Sequence, residues 1–171
     1  MLESLITSKT RIRLLVKFFI SAANEGYLRG LAGELKENTN AIRKELNNLS
    51  EAGYLIRVEE NSKITYRANK NHPLFGLIQT IIRKYVGLDT IIENIVDRVG
   101  EVQKVYLVGD YAKGIDSGLI EVFVIGQNLD LEYIEQLIKK IESKIHKNLK
   151  ITVADKFEGE GLLIFDNRVE Q

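Results

Sequence analysis

The sequence predicts an α+β protein in two parts, and three observations carry that reading. Leu31 to Tyr66 reads as helix, tight turn, helix and then two short strands. From residue 88 to 165 the pattern becomes helix, strand, turn, strand, helix, strand, strand, an α/β unit. The charge divides in the same place. The 171 residues carry 24 Lys and Arg against 24 Asp and Glu, yet Met1–Phe75 holds 12 cations against 8 acids and the remainder 12 against 16.

Ser8 to Ala23 is the first helix. Ile12, Leu15, Phe19 and Ala22 make its apolar stripe, widened by Leu14 and Phe18, and Lys9, Arg11, Arg13 and Lys17 occupy the rest. A stripe this wide serves a core and a partner subunit together. Asn24-Glu25-Gly26 ends the helix. The second buries Leu28, Leu31, Ala32 and Leu35. Gly33 lowers its propensity, which a close approach by the next helix would explain. Asn38 or Thr39 caps the third helix by accepting a backbone N–H bond.

That third helix has two distinct faces. Ile42, Leu46 and Leu49 recur at i, i+4, i+7, while Asn40, Arg43, Lys44 and Asn47 fall on another side. The polar side carries two cations, two amides and no acid. Amides and guanidinium groups pair bidentately with base edges in a DNA major groove. Ala52-Gly53 closes the helix, with Gly53 in the left-handed conformation. Tyr54–Val58 and Lys63–Arg67 then form strands about the tip Glu59-Glu60-Asn61-Ser62. Helix, turn, helix and hairpin in that order is the winged helix-turn-helix arrangement. Asn40, Arg43 and Asn47 are assigned to bases. Lys44, Lys63 and Arg67 are assigned to phosphates, with Thr39 beside them at the helix start. The basic excess in this half suits a polyanion, and the partner expected is double-stranded DNA.

Asn69-Lys70-Asn71 is a turn, and His72-Pro73 opens a helix over 73–86 that stops at Gly87. Its Leu74, Leu77, Ile78, Ile81, Ile82 and Tyr85 cover more than one face. It is read as a bridge between domains and a dimerisation element, with Ile82 or Phe18 at the seam of a homodimer. The boundaries are therefore 1–70, a bridging helix 71–87, and 88–171. In the last part a helix runs from Asp89 to Gly100 and strands cover Lys104–Val108 and Leu119–Ile125. A helix spans about Asp130–Lys147, and short strands cover Leu149–Ala154 and Leu162–Phe165.

Several function classes are excluded. There is no cysteine, so there are no disulfides and no thiolate metal sites. No apolar run reaches membrane-spanning length, which makes a soluble cytoplasmic protein without membrane contact the expectation. His72 and His146 have no metal-ligand spacing, and neither a Walker loop nor Gly-x-Ser-x-Gly occurs. No metal and no cofactor is expected. Tyr106 and Tyr111 flank the glycine turn at Gly109 and are candidates either for stacking on a base or for burial.

Gly109-Asp110-Tyr111-Ala112-Lys113-Gly114, followed by the strand Leu119–Ile125, resembles the start of a minimal nucleotidyltransferase domain. Gly109, Ala112 and Gly114 match its glycine turn and Lys113 its basic residue, over a likeness reaching from Leu88 to Phe165. The family's two strand carboxylates fall on Leu119 and Glu121, and its serine on Asp110. Its third carboxylate has no counterpart in Ile151, Thr152 or Val153, which leaves Asp155. Two-metal phosphoryl transfer needs several carboxylates holding ions roughly 4 Å apart, so the resemblance implies a mixed-sheet domain of this type that has lost catalysis. Gly109, Asp110, Lys113, Asp116, Ser117 and Glu121 would then line a pocket for a nucleotide or nucleotide-sugar effector. With Asn-His-Pro-Leu-Phe at 71–75, the whole chain resembles bacterial regulators that join an ArsR/MarR-like winged helix to a degenerate nucleotidyltransferase-like domain. The resemblance implies a transcriptional regulator and no enzyme. The alternative is an active nucleotidyltransferase or the antitoxin-like component of a two-protein system.

Overall fold

Ser8 opens the first helix by accepting the backbone N–H of Arg11 at 3.1 Å, one of the donors that a helix start leaves unsatisfied. The computed structural model describes residues 1–169, and the chain divides into two compact units, Met1–Tyr85 and Val86–Gln171. Glu170 and Gln171, at the end of the domain read as 88–171, lie outside the described residues.

In the first unit α1 spans Lys9–Phe19 and buries Leu14, Val16, Phe18 and Phe19 completely. It ends short of Ala23. The Asn24 side chain donates to the Lys17 carbonyl at 2.9 Å, and its backbone N–H donates to Ser21 at 3.1 Å, closing a turn. The strand β1, Glu25–Gly26, follows and pairs with a later strand. Two residues show no alternation, so nothing in the sequence announced it. In α2, Leu28–Leu35, Gly33 is exposed and no atom lies within 4 Å of where its Cβ would be. The close helix approach expected there is absent. Lys36 turns the chain with φ 51°. Asn38 rather than Thr39 then caps α3, Thr39–Glu51, by accepting the N–H groups of Asn40 and Ala41 at 2.7 and 3.1 Å.

Gly53, with φ +82°, follows the end of α3, and Tyr54 donates its N–H back to the Leu49 carbonyl at 2.9 Å. β2, Leu55–Glu60, and β3, Lys63–Ala68, form an antiparallel hairpin, and the sheet order is β1-β3-β2. Asn61 and Ser62 both have positive φ, as a two-residue hairpin loop of the right twist requires. His72 accepts the Leu74 N–H on Nδ1 at 3.1 Å and packs on Tyr54 with ring centroids 4.3 Å apart. The last helix of the unit, α4, spans Phe75–Val86, so Pro73 belongs to the turn before it.

α4 corrects the expectation about a seam. Ile82 and Phe18 are both 0% exposed within one chain, so neither is available to a partner. The apolar residues α4 leaves in solvent are Leu77 at 62%, Ile81 at 46% and, just before it, Leu74 at 42%. With Ile78 they sit at i, i+3, i+4, i+7, one stripe of a helix.

The second unit begins with α5, Leu88–Val96, which stops short of Gly100. β4, Glu101–Val108, starts three residues earlier than expected because Glu101 and Val102 pair with Gln127 and Gly126 ahead of a bulge. A four-residue helix α6, Gly109–Ala112, leads towards β5, Leu119–Gln127. α7, Leu131–Ile145, then β6, Asn148–Ala154, and β7, Leu162–Asp166, complete the unit. The sheet order is β6-β5-β4-β7, with β5 and β6 parallel and the other pairs antiparallel. The chain is thus α+β with a mixed sheet. Val105, Leu107, Ile120, Val122 and Val124 are buried on one side of this sheet, against which α5 and α7 pack. Lys104, Tyr106, Leu119, Glu121 and Phe123 take the alternate positions and share the other side. No helix among the described residues is long and apolar enough to cross a membrane.

Candidate functional site

Thr39, Asn40, Arg43, Lys44 and Asn47 are all exposed on α3, while Ile42, Glu45, Leu46 and Leu49 of the same helix are buried. At 3.6 residues per turn, Asn40, Arg43, Lys44 and Asn47 fit within an arc of about 100°. Arg43 donates from Nη1 to the Asn40 Oδ1 at 3.0 Å. That bond holds the guanidinium along the helix face and restricts its rotamers before any partner arrives.

The charge around this face is shaped by α1, whose cations sequence patterning placed only outside its apolar stripe. Arg11 donates from Nε to Glu45 at 2.7 Å, and Ser8 donates its hydroxyl to the same carboxylate at 3.1 Å. Arg13 binds Glu37 at 2.6 Å and also donates to the Leu35 carbonyl at 3.1 Å. Lys17, 5% exposed, holds Glu34 at 2.8 Å. Three acids on or between α2 and α3 are thereby neutralised from behind. Among the described residues, Glu51 in the last turn is the only carboxylate of those helices without an ion pair.

The hairpin cations are less simply placed. Lys63 and Arg67 occupy the same side of β3, opposite the side that buries Tyr66 and Ala68. The Lys63 ammonium stands 4.4 Å from the centroid of the Tyr27 ring, a cation–π contact. Arg67 lies across from Glu25 in the β1–β3 register. Among the described residues neither forms a hydrogen bond or ion pair with α3, so any common role with that helix runs through a ligand that spans both.

In the second unit Gly109 opens the glycine turn with φ +68°, and its missing Cβ leaves the space that the Glu121 carboxylate fills. Glu121 also lies 3.9 Å from Lys150, its partner in the parallel register. Asp116 accepts a short hydrogen bond from the buried Tyr111 hydroxyl, which itself accepts the Gly118 N–H at 3.1 Å. Asp116 and Tyr111 thus fasten the turn, and Tyr111 has no face to offer a base. Asp110, Lys113 and Ser117 are exposed. Leu119, 39% exposed, shares a sheet face with Glu121 and brings no ligand atom. Asp155 lies beyond the end of β6, five positions from the Glu121 partner Lys150, which is roughly 16 Å along a strand. No group of three or more His, Asp or Glu able to hold a metal occurs among the described residues.

A groove of about 590 Å³ lies elsewhere on this unit, lined by Lys104, Tyr106, Ile125, Asp155, Lys156, Phe157 and Arg168 together with neighbouring amides. Phe157 stacks on Tyr106 at 4.4 Å and meets Phe123 at 5.2 Å. The Arg168 backbone N–H, and then its side chain at 3.4 Å, hold the Asp166 carboxyl below the usual carboxylate range. Sequence reasoning missed this groove because its residues come from two strands, the loop after β6 and the turn after β7, with no common spacing.

No protein-family description and no curated protein matches the sequence. Two solved structures resemble parts of it. Sso10a-2, a DNA-binding protein from Sulfolobus solfataricus, is 15% identical with a TM-score of 0.37, over 50% of this chain and 85% of that one. The transcriptional regulator BldR from the same organism is 13% identical with a TM-score of 0.39, over 84% of this chain and 80% of that one. Similarity this distant assigns neither fold nor function, and the reading below rests on the site alone.

Proposed function

We propose that the chain is a homodimeric, DNA-binding transcriptional regulator whose first unit is a winged helix and whose α3 enters the major groove. The observation that carries this is the exposed face of Asn40, Arg43, Lys44 and Asn47, whose one carboxylate, Glu51, stands a turn beyond Asn47 while Glu34, Glu37 and Glu45 are held in ion pairs from α1. Arg43 and Lys44 draw phosphates to such a surface, and the amides and guanidinium supply the donors and acceptors for base edges. The hairpin β2–β3 is the wing, with Lys63 and Arg67 as phosphate contacts, in the manner of the ArsR/MarR-like regulators that the sequence resembles. Arg43→Ala is expected to weaken binding to a specific site by about 1–3 kcal/mol and to relax preference at one base pair. Lys44→Ala is expected to weaken all sequences alike and to lower the salt slope by about 1. Fluorescence anisotropy on genomic fragments at several salt concentrations reads both. Parental affinities in both variants would remove α3 from the groove.

The second unit, on this reading, is a nucleotidyltransferase-like domain that does no chemistry. Support comes from Leu119 in place of a metal ligand, from the distance between Glu121 and Asp155, and from Lys150 beside Glu121. A site for two ions needs carboxylates on one small patch. Incubation with each nucleoside triphosphate and Mg²⁺ or Mn²⁺ is expected to give no transfer or hydrolysis above a Glu121→Gln control. Turnover that depends on Glu121 would restore the enzymatic alternative.

A further inference from the structure

The open face of the second unit's sheet carries a groove at the far end of β4 from Gly109, and its lining is chemically two-sided. One side is aromatic. Tyr106 and Phe157 lie nearly parallel, 25° apart, with Phe123 tilted against Phe157. The other side is cationic, with Lys104, Lys156 and Arg168 against the single lining acid Asp155. Lys156 is held by Glu158 at 2.6 Å and Arg168 by Asp166 at 3.4 Å, both from outside the lining. Lys156 and Arg168 are about three-quarters exposed; the Lys156–Glu158 pair is exposed on both sides and exchanges readily, whereas Asp166, 15% exposed, holds Arg168 from a more buried position. Lys104 differs. It is half-buried, stands opposite Asp166 in the β4–β7 register, and has no ion pair within 4 Å among the described residues. A partly desolvated ammonium in that setting gains from an anion that enters the groove.

We propose that this groove binds a small aromatic anion, a planar ring bearing a carboxylate or phosphate, with the ring against Tyr106 and Phe157 and the anionic group at Lys104. The volume lies within the range of small-molecule sites, about 300–1,000 Å³. Neither half of the lining alone selects such a ligand. An inorganic anion leaves the aromatic wall wet, and a neutral ring adds nothing to the longer-range attraction Lys104 already has to Asp166. The site is separate from the glycine turn.

The test uses the full-length protein, isotope-labelled and observed by NMR during titration with phenyl phosphate, benzoate, inorganic phosphate and benzyl alcohol. The two aromatic anions are expected to shift the amides of Lys104, Tyr106, Phe157 and Arg168 saturably, and the other two probes to bind at least tenfold more weakly. Lys104→Gln is expected to weaken phenyl phosphate about tenfold, the usual scale of one charge-assisted contact. Phe157→Leu should weaken both aromatic anions while leaving any inorganic phosphate signal unchanged. Lys104→Gln keeps a neutral polar group at a half-buried strand position, so it reports even if Phe157→Leu does not fold. Equal binding of inorganic phosphate and phenyl phosphate, unchanged affinity in Lys104→Gln, shifts confined to Gly109–Glu121, or no saturable shift with either aromatic anion would each overturn the proposal.

Discussion

The double variant Leu77→Glu/Ile81→Glu is expected to be a folded monomer, while the parent protein sediments as a dimer. Both side chains stand in solvent on the outer face of α4, with Leu74 beside them. Next to this stripe an apolar groove of about 360 Å³ is lined by Ile6, Leu15, Leu49, Tyr54, Leu74 and Ile78. A two-fold interface uses the same patch on both copies, so each residue is buried twice. Four large aliphatic side chains at about 1.5 kcal/mol each sum to roughly 6 kcal/mol, before any repulsion among the introduced carboxylates. Because neither residue belongs to the core, the monomer keeps its thermal transition. Ile82→Glu and Phe18→Glu behave differently, since both place a charge where no solvent reaches and are expected to unfold the unit. Sedimentation velocity over a wide concentration range checks the set. A parent protein that stays monomeric at every concentration would remove the dimer from the account.

Arg11→Ala is expected to destabilise the first unit by about 3 kcal/mol, the lower end for breaking a buried ion pair, because the Arg11 side of the pair is partly exposed. The Glu45 side chain is 7% exposed and that of Arg11 is 39% exposed. Removing the cation leaves a buried carboxylate with only the Ser8 hydroxyl. Pairing Arg11→Ala with Glu45→Leu should recover most of the loss, since an apolar side chain of similar size needs no partner. Chemical denaturation of the single and double variants measures this directly. If Arg11→Ala alone lies within about 0.5 kcal/mol of the parent, the ordinary range for surface changes, the pair is not structural. The same contact matters for binding, because it withdraws a carboxylate charge from behind the polar face of α3.

Much of this was legible in the residues. The third helix declared both its faces by period, and its cap narrowed to two neighbouring residues, of which Asn38 proved to be the one used. The hairpin tip was expected over Glu59–Ser62, and the pairing of Glu59 and Glu60 with Ile64 and Lys63 narrows it to Asn61-Ser62. The mixed sheet was expected, and its strands lie where alternation placed them, apart from the early start of β4. What patterning missed shares one cause, which is dependence on contacts between distant segments. The two-residue β1 exists only because β3 lies beside it. The ion pairs of Arg11, Arg13 and Lys17 join residues that sequence treats as unrelated. Hydrophobic count alone showed that α4 had more apolar surface than one face needs, but it could not say that Ile82 goes inward and Leu77 outward. The glycine turn was visible as a motif, whereas the use of Asp116 to hold Tyr111 required the fold.

The central claim, that α3 enters the major groove, is tested most directly by titrating the labelled protein with a duplex of about 20 bp, two turns of DNA, at low salt. The account predicts amide shifts concentrated at Thr39, Asn40, Arg43, Lys44 and Asn47, with a weaker set at Lys63 and Arg67, all fading as salt rises. Shifts that leave α3 unmoved, or that gather instead on the Leu74–Ile81 stripe, would contradict it.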